Sequence, residues 1–121
     1  MERDIFFCPY IDERGLVLAY NSADALIVPA LYEGFGFPVL EAMACGTPVA
    51  SSNGGSLPEV GGVTPVYFDP QDGDSIVGAL DEVVQISRES ARIKEGVLRA
   101  SQRTWEQVVE EYCSVYRAVV G

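Results

Sequence analysis

The stretch Ala25-Leu26-Ile27-Val28-Pro29-Ala30-Leu31-Tyr32-Glu33-Gly34-Phe35-Gly36-Phe37-Pro38-Val39-Leu40-Glu41 decides how the rest of the chain is read. Residues 25–28 are apolar without polar alternation and stop at Pro29, the pattern of a short strand covered on both faces. A glycine- and aromatic-rich loop follows. Pro38 suits the first turn of a helix, where its missing N–H costs nothing, and Gly46 suits the cap at that helix's end. Strand, loop and helix in this order form the first part of a parallel βαβ unit.

The same alternation extends in both directions. Upstream, Ile5-Phe6-Phe7-Cys8 before Pro9 reads as another buried strand. Asp12 is placed to cap a helix carrying Leu16, Val17 and Tyr20 that ends near Asn21-Ser22. Downstream, Val49-Ala50-Ser51 reads as a third strand, Asn53-Gly54-Gly55 as a turn, 57–60 as a short helical turn and 63–68 as a fourth strand. Ile76, Val77, Leu80, Val83 and Val84 recur at helical spacing within 72–86. Residues 87–104 read as a polar, basic helix and 105–120 as an amphipathic one, with Trp105, Val108, Val109, Tyr112, Val115, Tyr116 and Val119 on its apolar side. The expected class is α/β with a four-stranded parallel sheet and C-terminal helices. Ligands on such sheets sit beyond the carboxyl ends of the strands, so the informative loops are Pro9-Tyr10, 29–37 and 52–56.

Composition narrows the chemistry. The 121 residues suit one domain, and 48% apolar content excludes a disordered tail. Eight Lys and Arg against 18 Asp and Glu give a net charge of −10, which argues against nucleic-acid partners. No Lys or Arg occurs from Gly15 to Ser87, and six of the eight cations lie within 88–117. Without histidine, Ser-His-Asp and Cys-His nucleophile systems and His-ligated metal sites are excluded. Cys8, Cys45 and Cys113 are odd in number and widely spaced, so each reads as a small buried residue in a reducing, cytoplasmic setting. No apolar run is long enough to span a bilayer, and no secretory signal is visible.

The loop and helix of the opening stretch form a candidate binding site. Gly34 and Gly36 let backbone approach a ligand closely, and the helix starting near Pro38 directs free N–H groups and a positive dipole end at the same place. Glu33 lies on the loop and Glu41 about one turn into the helix. Carboxylates accept sugar hydroxyls well, so amides for phosphate and carboxylates for hydroxyls favour a nucleotide sugar. The alternative for Glu41 is an acid near the helix start that only complements the dipole.

With these residues in view, the chain resembles the retaining glycosyltransferases of the two-domain GT-B type, specifically glycosyltransferase family 4, the glycosyl transferases group 1. Glu33 and Glu41 have its E-x7-E spacing, and Ala42-Met43-Ala44-Cys45-Gly46-Thr47-Pro48-Val49-Ala50 resembles its segment after the second Glu. Gly54-Gly55-Ser56-Leu57-Pro58-Glu59 is similar to its Gly-Gly turn, Phe68-Asp69-Pro70 to its last strand, and Trp105 to the Trp opening its terminal helix. The resemblance implies a partial Rossmann-like, three-layer fold, with residues 1–121 the later part of the C-terminal, donor-binding domain. It implies that Glu41 binds the ribose and that Glu33 contacts the donor sugar, making Glu33 the catalytic candidate. Gly34, Phe35, Gly36 and Phe37 would contact the donor through their backbone. Pro9-Tyr10 aligns more loosely with the loop near the base.

The implied reaction moves a sugar from a nucleotide diphosphate sugar to an acceptor hydroxyl without metal or cofactor. The family's acceptor domain and its first two C-domain strands, which carry the basic diphosphate-binding residues, have no counterpart here, so the isolated chain is expected to be inactive. The family's strand order 3-2-1-4-5-6 also separates the first strand here from the second, which suggests a homodimer, strand exchange or a partner supplying the N-terminal half. The rival expectation is a non-catalytic Rossmann-like fragment with a vestigial site, serving assembly.

Other features have plainer alternatives. Asp72-Gly73-Asp74 spells a metal-binding DxD, but Asp72 stands where a helix cap belongs. Glu59 reads equally as a cleft residue or a surface acid. Tyr10, Tyr32, Phe35 and Phe37 either stack on a ligand or pack on the protein. The basic stretch 88–103 offers weak peripheral membrane attraction, though Glu89 and Glu95 dilute it toward a solvated face.

Overall fold

A computed structural model describes residues 2–121, with side chains from residue 3 onward. After a short 3₁₀ turn at Glu2–Asp4, helix α1 covers Glu13–Ser22, strand β1 Leu26–Val28, helix α2 Phe37–Ala44 and strand β2 Val49–Ser52. Helix α3 covers Leu57–Gly61, strand β3 Val66–Phe68, and helices α4, α5 and α6 cover Gly73–Val83, Ala91–Ser101 and Trp105–Val120. The sheet is parallel in the order β1-β2-β3, with Ile27 opposite Ala50 and Ser51 opposite Tyr67. Class, parallel sheet and C-terminal helices are as the sequence implies.

Side-chain alternation along the strands divides the core in two. On one face Leu26, Val28 and Val49 pack with Tyr20 of α1, Val39, Ala42 and Met43 of α2, and Leu57 of α3. On the other, Ile27, Ala50, Val66 and Phe68 pack with Ala79 and Val83 of α4. The connecting helices α2 and α3 share one face, as right-handed crossovers require. Helix α5 lies against α2, burying Ile93 and Gly96.

The sheet has three strands among the described residues, not four. Residues 5–8 are irregular and solvent-facing, with Phe6 90% and Phe7 93% exposed. An apolar run becomes a strand only beside another strand's free N–H and C=O groups. In the order implied by the resemblance, two strands would stand between this segment and β1, so it has no adjacent edge. Cys8 is likewise exposed rather than buried, its thiol donating to the Tyr10 carbonyl at 3.2 Å.

The helix caps follow local chemistry. Asp12 accepts from the Gly15 N–H at 2.7 Å to start α1. Asp72 accepts from the Asp74 N–H at 3.0 Å to start α4, which settles it as a cap. Thr104 and Gln107 form a reciprocal capping box at α6. The expected basic helix over 87–104 is shorter, because Ser90 caps α5 and residues 84–90 form a loop.

The basic stretch is not simply a solvated face. Arg88 donates to the carbonyls of Tyr20, Ala23 and Gly46, and Arg92 to those of Thr64 and Pro65. Arg99 donates to the carbonyls of Glu59 and Val60 in α3. These guanidiniums fasten the C-terminal helices to the ends of α1, α2 and α3, where unpaired carbonyls concentrate. No helix among the described residues is long and apolar enough to cross a membrane.

Candidate functional site

The loop between β1 and α2 is held from below by the turn after β2. The Ser56 hydroxyl lies 2.9 Å from the carbonyls of both Glu33 and Phe35, and the Ser56 N–H donates to Glu33 at 3.2 Å. The Ser52 hydroxyl donates to the Ala30 carbonyl. Gly36 caps α2 at φ 99°, ψ 44°, a left-handed conformation that favours glycine. A Cβ there would lie 2.7 Å from Cδ2 of Leu57, so Gly36 also permits close approach of the loop to α3.

This anchoring consumes carbonyls and leaves amides. The backbone N–H groups of Gly34, Phe35, Gly36 and Phe37 donate to no protein acceptor among the described residues. Pro38 follows with no N–H, and Val39 and Leu40 turn back to the Gly36 carbonyl at 3.1 and 3.4 Å. Four consecutive donors therefore stand unspent at the positive end of α2.

Glu41 sits one turn further on, solvent-exposed, its Oε2 accepting from the Tyr20 hydroxyl at 2.9 Å. Burial, followed by that hydrogen bond and the nearby carboxylate, pushes the Tyr20 hydroxyl well above the usual tyrosine range. The carboxylate's other oxygen remains available.

Glu33 is half-buried, and its carboxylate has no polar partner among the described residues. Its Cγ lies 3.9 Å from where a Cβ on Gly36 would be, which places its stem against the glycine. Gly34 is exposed, with open space around it.

Beside this segment lies a cavity of about 610 Å³ whose lining includes Phe35, Phe37, Glu41, Arg103 and Trp105. Phe35 and Phe37 pack with ring centroids 4.6 Å apart, and Phe37 stacks on Trp105 at 5.8 Å and 24°. Glu33 does not line this cavity, so the two carboxylates reach it unequally: Glu41 directly, Glu33 from the loop behind. Tyr10 and Tyr32 stand exposed outside it. Glu59 is exposed and lines a second, adjoining cavity of about 370 Å³ together with Phe35, Leu40 and Arg99. Among the described residues no cluster of acids and thiols is placed to hold a metal ion.

Four contributors escaped the sequence reading. Tyr20 and Trp105 were visible only as apolar members of amphipathic helices. Arg103 was one cation in a basic run. Ser56 reaches loop carbonyls more than 20 residues away, a tertiary contact with no local signal.

A parallel sheet bearing free amides at a helix start and a carboxylate in the adjoining cavity defines an α/β domain built to receive a polar, anionic ligand. The family of this domain is shown by comparison: residues 1–98 match the glycosyl transferases group 1 family, and the chain belongs to it. The chain is 37% identical over 115 residues to O-antigen chain mannosyltransferase B of Escherichia coli, covering 93% of this chain and 30% of that protein. It is 31% identical over 116 residues to MMP alpha-(1->4)-mannosyltransferase of Mycolicibacterium hassiacum, covering 92% and 28%. Its fold matches sucrose-phosphate synthase from Thermosynechococcus elongatus with a TM-score of 0.83 at 30% identity, covering 95% of this chain and 30% of that one. The chain thus spans about a third of the length of the relatives it matches.

Proposed function

We propose that this chain is the nucleotide-sugar-binding part of a retaining glycosyltransferase and forms the later portion of its C-terminal domain. The observation that carries the reading is the row of four unspent N–H groups over residues 34–37, next to the Glu41 carboxylate. The amides bind the diphosphate and the donor sugar, Glu41 accepts the ribose hydroxyls, and Glu33 accepts hydroxyls of the sugar. In the whole enzyme the bond from the sugar's anomeric carbon to the diphosphate breaks and a bond to the acceptor oxygen forms on the same face. The proton of the acceptor hydroxyl passes to the leaving phosphate. Bound amides stabilise the charge that develops on that phosphate.

By itself the chain holds a donor without turning it over, since the acceptor side of the reaction lies in the remaining two-thirds of a full-length enzyme. The outer edge of β1, unpaired among the described residues, and the apolar face of α6 are surfaces that either the missing half or a second copy of the chain would cover. Light scattering at high concentration separates a dimer from a monomer.

Calorimetric titration with a panel of nucleotide diphosphate sugars tests the reading. The chain is expected to bind at least one of them, and Glu41→Ala to weaken that binding by about tenfold or more, the cost of a hydrogen bond to a charged group. Tyr20→Phe, which leaves the carboxylate in place, should retain binding. No binding at millimolar ligand supports instead a non-catalytic module, a reading favoured by the absence of any cation between Gly15 and Ser87.

A further inference from the structure

A diphosphate held only by neutral amides beside two carboxylates lacks positive charge. The cation-free stretch from Gly15 to Ser87 contains the whole loop–helix unit, so any compensating group must arrive from elsewhere in the fold. Three of the later arginines are committed: Arg88, Arg92 and Arg99 each donate to backbone carbonyls. Arg117 pairs with Glu110 on α6 and does not line the cavity that Glu41 faces.

Arg103 is different. It stands in the link between α5 and α6 and is the one cation lining the cavity with Phe35, Phe37 and Glu41. It also lines the adjoining cavity with Phe35 and Leu40, so it borders both spaces that open beside the amide row. Its side chain makes one polar contact, a long 3.4 Å approach to Glu111 with both groups about half exposed. Such a pair holds little energy, and a guanidinium so placed is free to exchange it for a doubly charged ligand.

Resting on the donor-binding reading above, we propose that Arg103 is the cationic anchor for the diphosphate of the nucleotide donor. It forms one end of a site whose other end is the ribose-binding Glu41. The link preceding α6 thereby becomes part of the donor site, and Trp105, two residues on and stacked against Phe37, fixes the position from which Arg103 reaches in.

The test is titration of the full chain with nucleoside diphosphates and with the corresponding uncharged nucleosides. Arg103→Gln should weaken diphosphate binding about tenfold or more while leaving nucleoside binding unchanged. Arg103→Lys should recover part of the loss, since the charge returns without the planar fork. Glu111→Gln, which releases Arg103, should tighten diphosphate binding, and Arg117→Gln should leave it alone. Diphosphate binding by the parent chain that is unchanged in Arg103→Gln overturns this proposal and leaves the donor reading standing. A parent chain that binds neither ligand overturns both.

Discussion

Replacing Gly36 by alanine isolates what holds the loop in place. Its φ of 99° lies where an L side chain is strained, at a cost of about 1–2 kcal/mol. The added methyl would also fall 2.7 Å from Cδ2 of Leu57, a fully buried side chain, so relief needs rotation of a packed leucine. Overpacking of this kind costs about 1–3 kcal/mol. The smaller entropy of the unfolded alanine chain offsets about 0.4–1 kcal/mol. The net expectation is a destabilisation of about 2–4 kcal/mol, a large share of the ~5–15 kcal/mol that a domain of this size holds. At a urea slope of about 2 kcal/mol per molar, the unfolding midpoint falls by about 1–2 M. The double variant Gly36→Ala with Leu57→Ala separates the two causes, because it removes the collision and keeps the backbone strain; the pair should be strongly non-additive. Gly34→Ala is the control, with φ not positive and nothing within 4 Å of the added methyl, and should leave the midpoint unchanged. A Gly36→Ala midpoint within 0.2 M of the parent, or strictly additive variants, would refute the reasoning.

Three further outcomes follow from other contacts. Arg88→Ala removes three carbonyl contacts at the ends of α1 and α2 and should cost about 2–3 kcal/mol, whereas Arg117→Ala, at an exposed pair, should cost under ~0.5 kcal/mol; chemical denaturation of both checks the contrast. Tyr20 ionises at higher pH folded than unfolded, so its contribution to stability is complete below pH ~10 and is lost as pH rises beyond it; Tyr20→Phe should flatten that alkaline decline in urea midpoints measured from pH 8 to 11. Trp105 is the chain's single tryptophan and stacks on Phe37, so Phe37→Ala should red-shift its fluorescence and change near-ultraviolet dichroism without altering the far-ultraviolet signal.

Much of the fold was legible because its determinants are local. Asp12, Asp72 and Thr104 cap helices with their own side chains, Pro38 and Gly46 bracket α2, and unbroken apolar runs mark β1 and β2. The reading failed at Ile5-Phe6-Phe7-Cys8, where the same apolar signal specifies a wish for burial but says nothing about a neighbouring strand. It also failed for the arginines of α5. A guanidinium that clamps a carbonyl some 30 to 70 residues away has the same sequence signature as one facing water. For the site, the glycines and acids of 33–41 were found from spacing. Their support by Ser56, and the wall contributed by Arg103 and Trp105, exist only once the chain has closed on itself.

The account depends on the backbone amides of residues 34–37 meeting the donor. Assigned amide proton–nitrogen spectra recorded while a nucleotide diphosphate sugar is added examine those groups one by one. The account predicts saturable shifts concentrated at Gly34, Phe35, Gly36 and Phe37, with smaller ones around Glu41 and Arg103. Saturable shifts that leave those four amides in place and gather elsewhere, or no shifts at millimolar ligand, would contradict it.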